Sequence, residues 1–160
     1  MKRRRELVVV LHNVRSAHNV GSIFRTADAA GVRKIYLCGV TPEPLDRLGK
    51  WRKDFVKVSL GSEKTVPWEK YKSSAALVNK LKLDGYYVFA VEQDIKSTPL
   101  SQARPKDKMA LIMGSEVKGL PPSVLKRANV ILEIPMYGAK ESLNVAVAFG
   151  IVVYSLIKNR

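Results

Sequence analysis

Short, continuous apolar runs recur along this chain and constrain its fold more than any other feature. In most of them apolar side chains follow one another and do not alternate with polar ones. The runs lie at residues 7–11, 34–38, 55–60, 86–91, 109–113 and 130–134. Continuous runs of this length are typical of strands that are buried on both faces, as they are in a parallel sheet.

Helix-like segments separate these runs. The first, residues 20–30, is rich in alanine and stops at Gly31, which we interpret as its C-terminal cap. The others are expected at 68–83, from Pro121 to about 128, and from Ser142 to about Lys158. Strands that alternate with helices predict an α/β fold, in which a mostly parallel sheet is flanked by helices.

The chain has 160 residues, 46% of them apolar, which predicts a single domain over residues 1–160 with a short basic N-terminal arm at 1–5. No apolar run approaches the roughly 18 residues that a membrane helix needs, so we expect a cytoplasmic protein without membrane contact. The single cysteine, Cys38, lies in a strand-like run and is interpreted as a buried structural thiol. One cysteine and two histidines predict no metal site.

The net charge is +14 and is unevenly distributed: residues 1–80 carry 17 Lys and Arg against 7 Asp and Glu. An excess of this size favours a polyanionic partner such as nucleic acid, although a solvated basic surface would also explain it. The residues that we expect to contact the phosphates of such a partner lie in this half: Arg3, Arg4, Arg5, Arg15, Lys50, Arg52 and Lys53.

A first polar motif, NVGSIFRT at residues 19–26, follows the first predicted strand. Asn19 is expected to cap the first helix, and Gly21 allows close backbone approach. Arg25 lies one turn beyond Gly21, near the expected helix start, where its guanidinium could bind a phosphate in a fork geometry. The alternative for Arg25 is an ion pair with Asp28, three residues on.

A second motif, IMGSEVKGL at residues 112–120, lies where the 109–113 run stops. Ligands of open α/β sheets bind near the carboxyl ends of strands, and Gly114 there would expose backbone groups to a ligand. Glu116 is either a site residue or a solvated turn carboxylate.

A third motif joins IPMYG at 134–138 to ESLNVAVA at 141–148. Ser142 is expected to cap the last helix, with Asn144 in its first turn and Leu143 as an apolar wall. No Gly-x-Gly-x-x-Gly follows a strand, so the dinucleotide-binding fingerprint is absent from the sequence.

The three motifs, in this order, resemble those of the SpoU/TrmH-type RNA ribose 2′-O-methyltransferases of the knotted SPOUT class, over residues 7–157. The resemblance implies a C-terminal deep trefoil knot, a homodimer, and S-adenosylmethionine bound between motifs two and three. Its implied catalytic residues are Arg25, Asn19, Glu116, Ser142 and Asn144. Its implied cofactor-binding residues are Met113, Gly114, Gly119, Ile134, Met136 and Leu143.

The implied reaction is methylation of a ribose 2′-hydroxyl, with tRNA favoured over ribosomal RNA because minimal family members often act on tRNA. Arg25 is a poor general base because a guanidinium is permanently charged and offers no acceptor. It would therefore either bind the target phosphate and ribose, or stabilise charge while that phosphate takes the ribose proton. Two alternatives stay open: an RNA-binding protein without catalysis on the same scaffold, and a methyltransferase that acts on an RNA base.

Overall fold

A seven-stranded sheet, with every pair of neighbouring strands parallel, forms the centre of the computed structural model, which describes residues 5–158. The strand order is β3-β2-β1-β6-β4-β7-β5. The strands are β1 (Glu6–His12), β2 (Lys34–Cys38), β3 (Trp68–Tyr71), β4 (Tyr87–Val91), β5 (Thr98–Pro99), β6 (Lys108–Gly114) and β7 (Val130–Glu133). The predicted α/β class and mostly parallel sheet are confirmed.

Helices cover both faces of the sheet. They are α1 (Ala17–Ala30), α2 (Lys53–Ser59), α3 (Ser62–Thr65), α4 (Ser74–Leu83), α5 (Pro122–Leu125) and α6 (Val145–Ile157), with a 3-10 turn at Leu100–Gln102. Gly31 ends α1 with φ +68°, and its N–H bonds back to the carbonyls of Ala27 and Asp28, as expected of a left-handed cap. Within residues 5–158, no helix is long and apolar enough to cross a bilayer.

Each central strand contributes to two cores, which explains its continuous apolar sequence. On β1, Leu7, Val9 and Leu11 pack into the core that α1, α2 and α6 cover. Their neighbours Val8 and Val10 face the core beneath α4 and α5. Because successive side chains of a strand point to opposite faces, a strand covered on both sides must be apolar at every position.

The order of the strands creates the crevice in which a ligand can bind. The chain runs outward through β1, β2 and β3, then crosses to the other side of β1, where β6 fills the position between β1 and β4. Open α/β sheets bind ligands outside the carboxyl ends of the strands at such a reversal of direction. The ends of β6, β4 and β7 meet there.

Two predicted elements are wrong. The run at 55–60 forms helix α2, in which only Phe55 and Ser59 are buried, a spacing of four that is helical. The segment 68–83 is not one helix, because Trp68–Tyr71 pairs with β2 as an edge strand. Helix α4 begins after this strand, at Ser74, and is capped by the Ser73 side chain, which accepts from Ala76 N at 3.2 Å.

Helices α1 and α2 approach closely at Gly21. A Cβ placed there would lie 2.8 Å from the Phe55 carbonyl oxygen and 2.7 Å from Val58 Cγ2. We expect Gly21→Ala to lower the free energy of unfolding by about 1–3 kcal/mol, because the backbone contact cannot relax. Gly150→Ala in α6 is the matched control, since its Cβ would meet only Thr26 Cγ2, at 3.9 Å. There the better helix propensity of alanine should add up to about 1 kcal/mol. Denaturant titration measures both changes, and equal stability of the two variants would contradict the packing argument.

Candidate active site

A cavity of about 280 Å³ opens at the carboxyl ends of β6, β4 and β7. Its walls come from the end of β6, the turn at 115–119, the residues that follow β4, and the segment between β7 and α6. All six residues that the resemblance implies for cofactor binding line it, namely Met113, Gly114, Gly119, Ile134, Met136 and Leu143.

Gly114 and Gly119 are glycines because the end of β6 and the turn at 115–120 lie against each other beside this cavity, and the Glu92 side chain packs on Gly119. A Cβ on Gly114 would lie 2.7 Å from the Gly119 carbonyl carbon and 2.9 Å from Leu120 N. Gly119 has φ +62°, the left-handed region that favours glycine. Side chains at either position would push the 115–120 turn away from the strand end, and the cavity wall with it.

Polar side chains from all three motifs are joined by hydrogen bonds at the mouth of this cavity. Asn144 Nδ2 donates to Asn19 Oδ1 at 3.1 Å, and Asn19 Nδ2 donates to Glu116 Oε1 at 2.8 Å. Asn144 Oδ1 accepts from the backbone N–H groups of Ala146 and Val147. The start of α6 therefore orients Asn144, which orients Asn19, which in turn holds the Glu116 carboxylate.

The helix caps differ from the predicted ones. Ser16 caps α1, because its hydroxyl accepts from Asn19 N at 3.2 Å, and so the predicted cap at Asn19 is wrong. Asn144 caps α6, which begins at Val145, so the predicted cap at Ser142 is wrong as well. Ser142 lies on the cavity wall, and within residues 5–158 its side chain has no hydrogen-bond partner.

Arg25 does not line the cavity. It lies in the middle of α1, not near its start, and is exposed in a separate surface depression with Ser22, Lys57 and Tyr154. The alternative ion pair with Asp28 is not formed: the Asp28 carboxylate instead accepts from Thr65 Oγ1 at 2.8 Å. Within one chain, the arginine is thus outside the site that contains Asn19, Glu116 and Asn144.

The predicted RNA contacts are spread over the molecule. Arg3 and Arg4 lie outside the described residues, and Arg5 donates to the Lys158 carbonyl at 3.1 Å beside the amino end of β1. That end is separated from the cavity by the length of β1, about 20 Å. Lys50 and Lys53 are exposed, and Arg52 forms an ion pair with Asp54 at 2.9 Å. Arg15 lies closer to the cavity, because it lines a depression that shares residues of the 115–119 turn with it.

Glu92 and Gln93 line the cavity and were missed by the sequence reasoning. Both follow the apolar run at 86–91, so the signal that pointed to Gly114, a polar residue directly after a buried strand, was present for them too. The cavity thus carries three carboxylates, Glu92, Glu116 and Glu133, against the single cation of Lys118. This balance suits a positively charged ligand.

A second hydrogen-bonded chain starts at the end of β1. Asn13 Oδ1 accepts from Val40 N at 3.0 Å, so its Nδ2 is turned towards His12 Nε2, at 3.3 Å. His12 therefore carries its proton on Nδ1 and donates to Ser74 Oγ at 2.7 Å. Burial lowers the pKa of His12 below its ordinary value. Burial also raises the pKa of Cys38, which is fully buried as predicted and lies against Ser74.

Comparisons with known proteins identify the family. The family model described as the SpoU rRNA Methylase family matches residues 6–154, and the chain belongs to this family. The resemblance found in the three motifs is confirmed. A tRNA (guanosine(18)-2′-O)-methyltransferase of Borreliella burgdorferi is 32% identical over 94% of this chain and 66% of its own length.

Two solved structures extend the comparison. An AdoMet-bound rRNA methyltransferase from Sinorhizobium meliloti is 30% identical, with TM-score 0.85, over 94% of this chain and 55% of its own. A structure that gives insights into the 2-OH methylation of C/U34 on tRNA is 31% identical, with TM-score 0.78, over 96% of this chain and 95% of its own. This chain therefore spans a little over half of the rRNA enzyme and about two thirds of the Borreliella enzyme.

Two substitutions at position 144 should separate capping from the side-chain network. Asn144→Asp keeps the acceptor for the N–H groups of Ala146 and Val147 but loses the donor to Asn19. Asn144→Ala loses both and should lower the free energy of unfolding by about 0.5–2 kcal/mol, whereas the aspartate should preserve it. Denaturant titration of both variants tests this, and an aspartate variant as unstable as the alanine variant would show that the bond to Asn19 carries the stability.

The lowered pKa of His12 predicts a pH dependence of stability. In the unfolded chain His12 takes up a proton near its ordinary pKa of about 6.5. The folded protein keeps the ring neutral to a lower pH. The contribution of His12 to the free energy of unfolding should therefore be fully present above about pH 6.5. It should decline as the pH falls towards the lowered pKa of the folded protein. His12→Asn can still donate to Ser74 but cannot titrate, so its stability should fall less between about pH 7.5 and 5.5. Parallel pH profiles from denaturant titrations would contradict the assignment.

Proposed function

We propose that this protein is an S-adenosylmethionine-dependent RNA methyltransferase that methylates a ribose 2′-hydroxyl. One observation carries the proposal: polar residues of all three motifs are joined through Asn144, Asn19 and Glu116 at the mouth of one ligand-sized cavity. Membership of the SpoU family and the AdoMet-bound relative from Sinorhizobium meliloti support the same cofactor and the same class of reaction.

The cavity fits the cofactor chemically. Met113, Met136 and Leu143 offer an apolar surface to a purine ring, and the three carboxylates of the lining give the cavity a negative charge that suits a cofactor with a sulfonium and an ammonium group. When bound, S-adenosylmethionine supplies an already activated methyl group. The chain has then only to exclude water, orient the target hydroxyl and accept or direct one proton.

Glu116 is the carboxylate best placed to act on the target hydroxyl. Asn19 Nδ2 bonds to one of its oxygens, which leaves the other free to accept a hydrogen bond from a ribose 2′-OH at the cavity mouth. Ser142 and Asn144 complete the polar rim. Arg25 binds the phosphate next to that ribose, because a permanently charged guanidinium is a poor base but a good phosphate ligand.

The site requires a homodimer in this proposal. Val147, Ile151 and Tyr154 follow one another at helical spacing on α6 and are 52%, 43% and 50% exposed, an apolar stripe on a helix surface. Tyr154 shares a depression with Arg25 of α1. Packing this face against a second copy would cover the stripe and bring Arg25 of one chain towards the cavity of its partner.

We further propose that residues 1–160 form one domain closed by a trefoil knot, in which the segment after β7 passes through the loop at 115–121. The shared cavity supports this proposal, because the turn at 115–119 and residues of the segment between β7 and α6 line it together. A tRNA substrate is favoured because the relative that matches this chain almost end to end concerns C/U34 of tRNA, and the Borreliella relative also acts on tRNA. The cytoplasmic location stays a prediction.

The function is tested by incubating the protein with methyl-labelled S-adenosylmethionine and total RNA. We expect label in one class of RNA, on a ribose, so that the phosphodiester next to the modified nucleotide resists alkaline cleavage. Label on a base, or no transfer although the cofactor binds, would overturn the proposal. Trp51 with Lys50 and Lys53 is the first surface to substitute if transfer is weak, since these side chains are exposed.

Mixing two inactive variants tests both Arg25 and the dimer. Arg25→Ala should abolish most transfer but leave cofactor affinity unchanged, and Arg25→Lys should be poor because an ammonium lacks the fork. Asn144→Asp should also be inactive. If Arg25 serves the partner's cavity, co-refolding the Arg25→Ala and Asn144→Asp chains creates one intact site per mixed dimer and restores about a quarter of the activity. No recovery in a mixture shown to contain mixed dimers would place Arg25 in its own chain's site.

A further inference from the structure

Glu92 is held rigidly in the cavity wall by the backbone around it. Its Oε2 accepts from Leu120 N at 2.8 Å, and its Oε1 accepts from Gln93 N at 3.0 Å. A Cβ on Gly119 would collide with Oε2, so this oxygen packs directly against the glycine. The adjacent Gln93 donates to the Glu141 carbonyl at 2.6 Å and fixes the opposite wall.

This carboxylate has acceptor capacity that the described residues do not use. Within residues 5–158 it takes part in no ion pair, although the protein has a net charge of +14. Each oxygen accepts one backbone N–H, and an ionised carboxylate has about four acceptor sites, so one site on each oxygen remains. A half-buried carboxylate with two adjacent open acceptor sites is matched by a ligand that presents two adjacent donors.

We propose that Glu92 binds the ribose diol of the cofactor's adenosine, one hydroxyl to each carboxylate oxygen. The inference rests on the proposed function for the identity of the ligand. A vicinal diol carries two donors on neighbouring carbons and matches two oxygens of one fixed carboxylate. In dinucleotide-binding folds, a carboxylate binds the ribose hydroxyl by the same chemistry. A single ammonium group needs no such pair and is served equally by Glu116 or Glu133, the other carboxylates of the cavity.

Glu92 would thereby connect cofactor binding to the shape of the site. The same carboxylate holds Leu120 N, and the turn at 115–120 carries Glu116. Diol recognition and turn position are separable experimentally, because a glutamine at this position still offers one carbonyl oxygen to Leu120 N. It loses the charge and the second acceptor.

The experiment measures affinity by calorimetry with ligands that do not depend on turnover. The ligands are S-adenosylhomocysteine, 5′-methylthioadenosine, and the 2′,3′-dideoxy form of 5′-methylthioadenosine, which lacks both hydroxyls of the diol. 5′-Methylthioadenosine is uncharged and has no ammonium group, so an affinity change with it reports the diol and not the general charge of the cavity. Asp94→Asn is the matched control: it removes the same charge two residues away, at a side chain that does not line the cavity.

We expect Glu92→Gln to lower the affinity for S-adenosylhomocysteine and for 5′-methylthioadenosine by the same factor. The factor should be about 10- to 100-fold, as for the loss of a charged hydrogen bond. The 2′,3′-dideoxy ligand should bind the wild type weakly and lose little more affinity in the variant. Asp94→Asn should bind all three ligands with the affinity of the wild type. Should Glu92→Gln unfold, Glu92→Asp keeps the charge but withdraws it by one methylene, and it should show the same pattern.

Three results would overturn the inference. If Glu92→Gln lowered the affinity for S-adenosylhomocysteine alone, the carboxylate would bind the ammonium group. Equal losses of affinity for 5′-methylthioadenosine and its 2′,3′-dideoxy form would mean that Glu92 acts only through the turn. A wild-type protein that binds neither S-adenosylmethionine nor S-adenosylhomocysteine would remove the proposed function itself, an outcome distinct from the other two.

Discussion

The pairing of β6 between β1 and β4 is the constraint on which the rest of the structure depends. β6 pairs with β1 along its whole length, from Lys108 to Gly114, and with β4 on its other edge. This places Gly114 at the carboxyl edge in the middle of the sheet, where the order in which the chain adds strands to the sheet reverses. The turn at 115–120 must then leave the sheet beside the ends of β4 and β7, and their close approach forms the cavity.

The proposed function needs opposite local charges, a basic surface for RNA and an acidic cavity for a cationic cofactor. The chain has a net charge of +14, yet the cavity is lined by three carboxylates and one lysine. Electrostatic attraction can therefore bring RNA to the surface, while the cavity keeps an environment in which a sulfonium is stable. Glu116 lies at the mouth between these regions, which suits a group that meets the target ribose.

The amide side chains of the site serve structure and chemistry at once. Asn144 satisfies two N–H groups at the start of α6 with its oxygen and uses its nitrogen to orient Asn19. Because Ser16 takes over the cap of α1, the Asn19 side chain is free to hold Glu116. The start of α6 and the Glu116 carboxylate are thus coupled through two amides, so a change at one affects the other.

The sequence by itself determined the sheet strands at the centre, because a strand buried on both faces must be apolar at every position, as in 109–113. It also determined the three motifs, and with them the family, because glycines and polar residues after buried strands have few other uses. It could not decide between helix and strand at 55–60, where a short apolar run fits both, nor show that Trp68–Tyr71 pairs as an edge strand. Caps were misassigned because Ser16 and Asn19, or Ser142 and Asn144, are chemically equivalent candidates.

Only the tertiary structure decided which side chains meet: it joined Asn19, Glu116 and Asn144 across 125 residues of chain, added Glu92, and left Arg25 on another surface. Such contacts depend on the order of strands in the sheet, which long-range packing sets and no local pattern encodes.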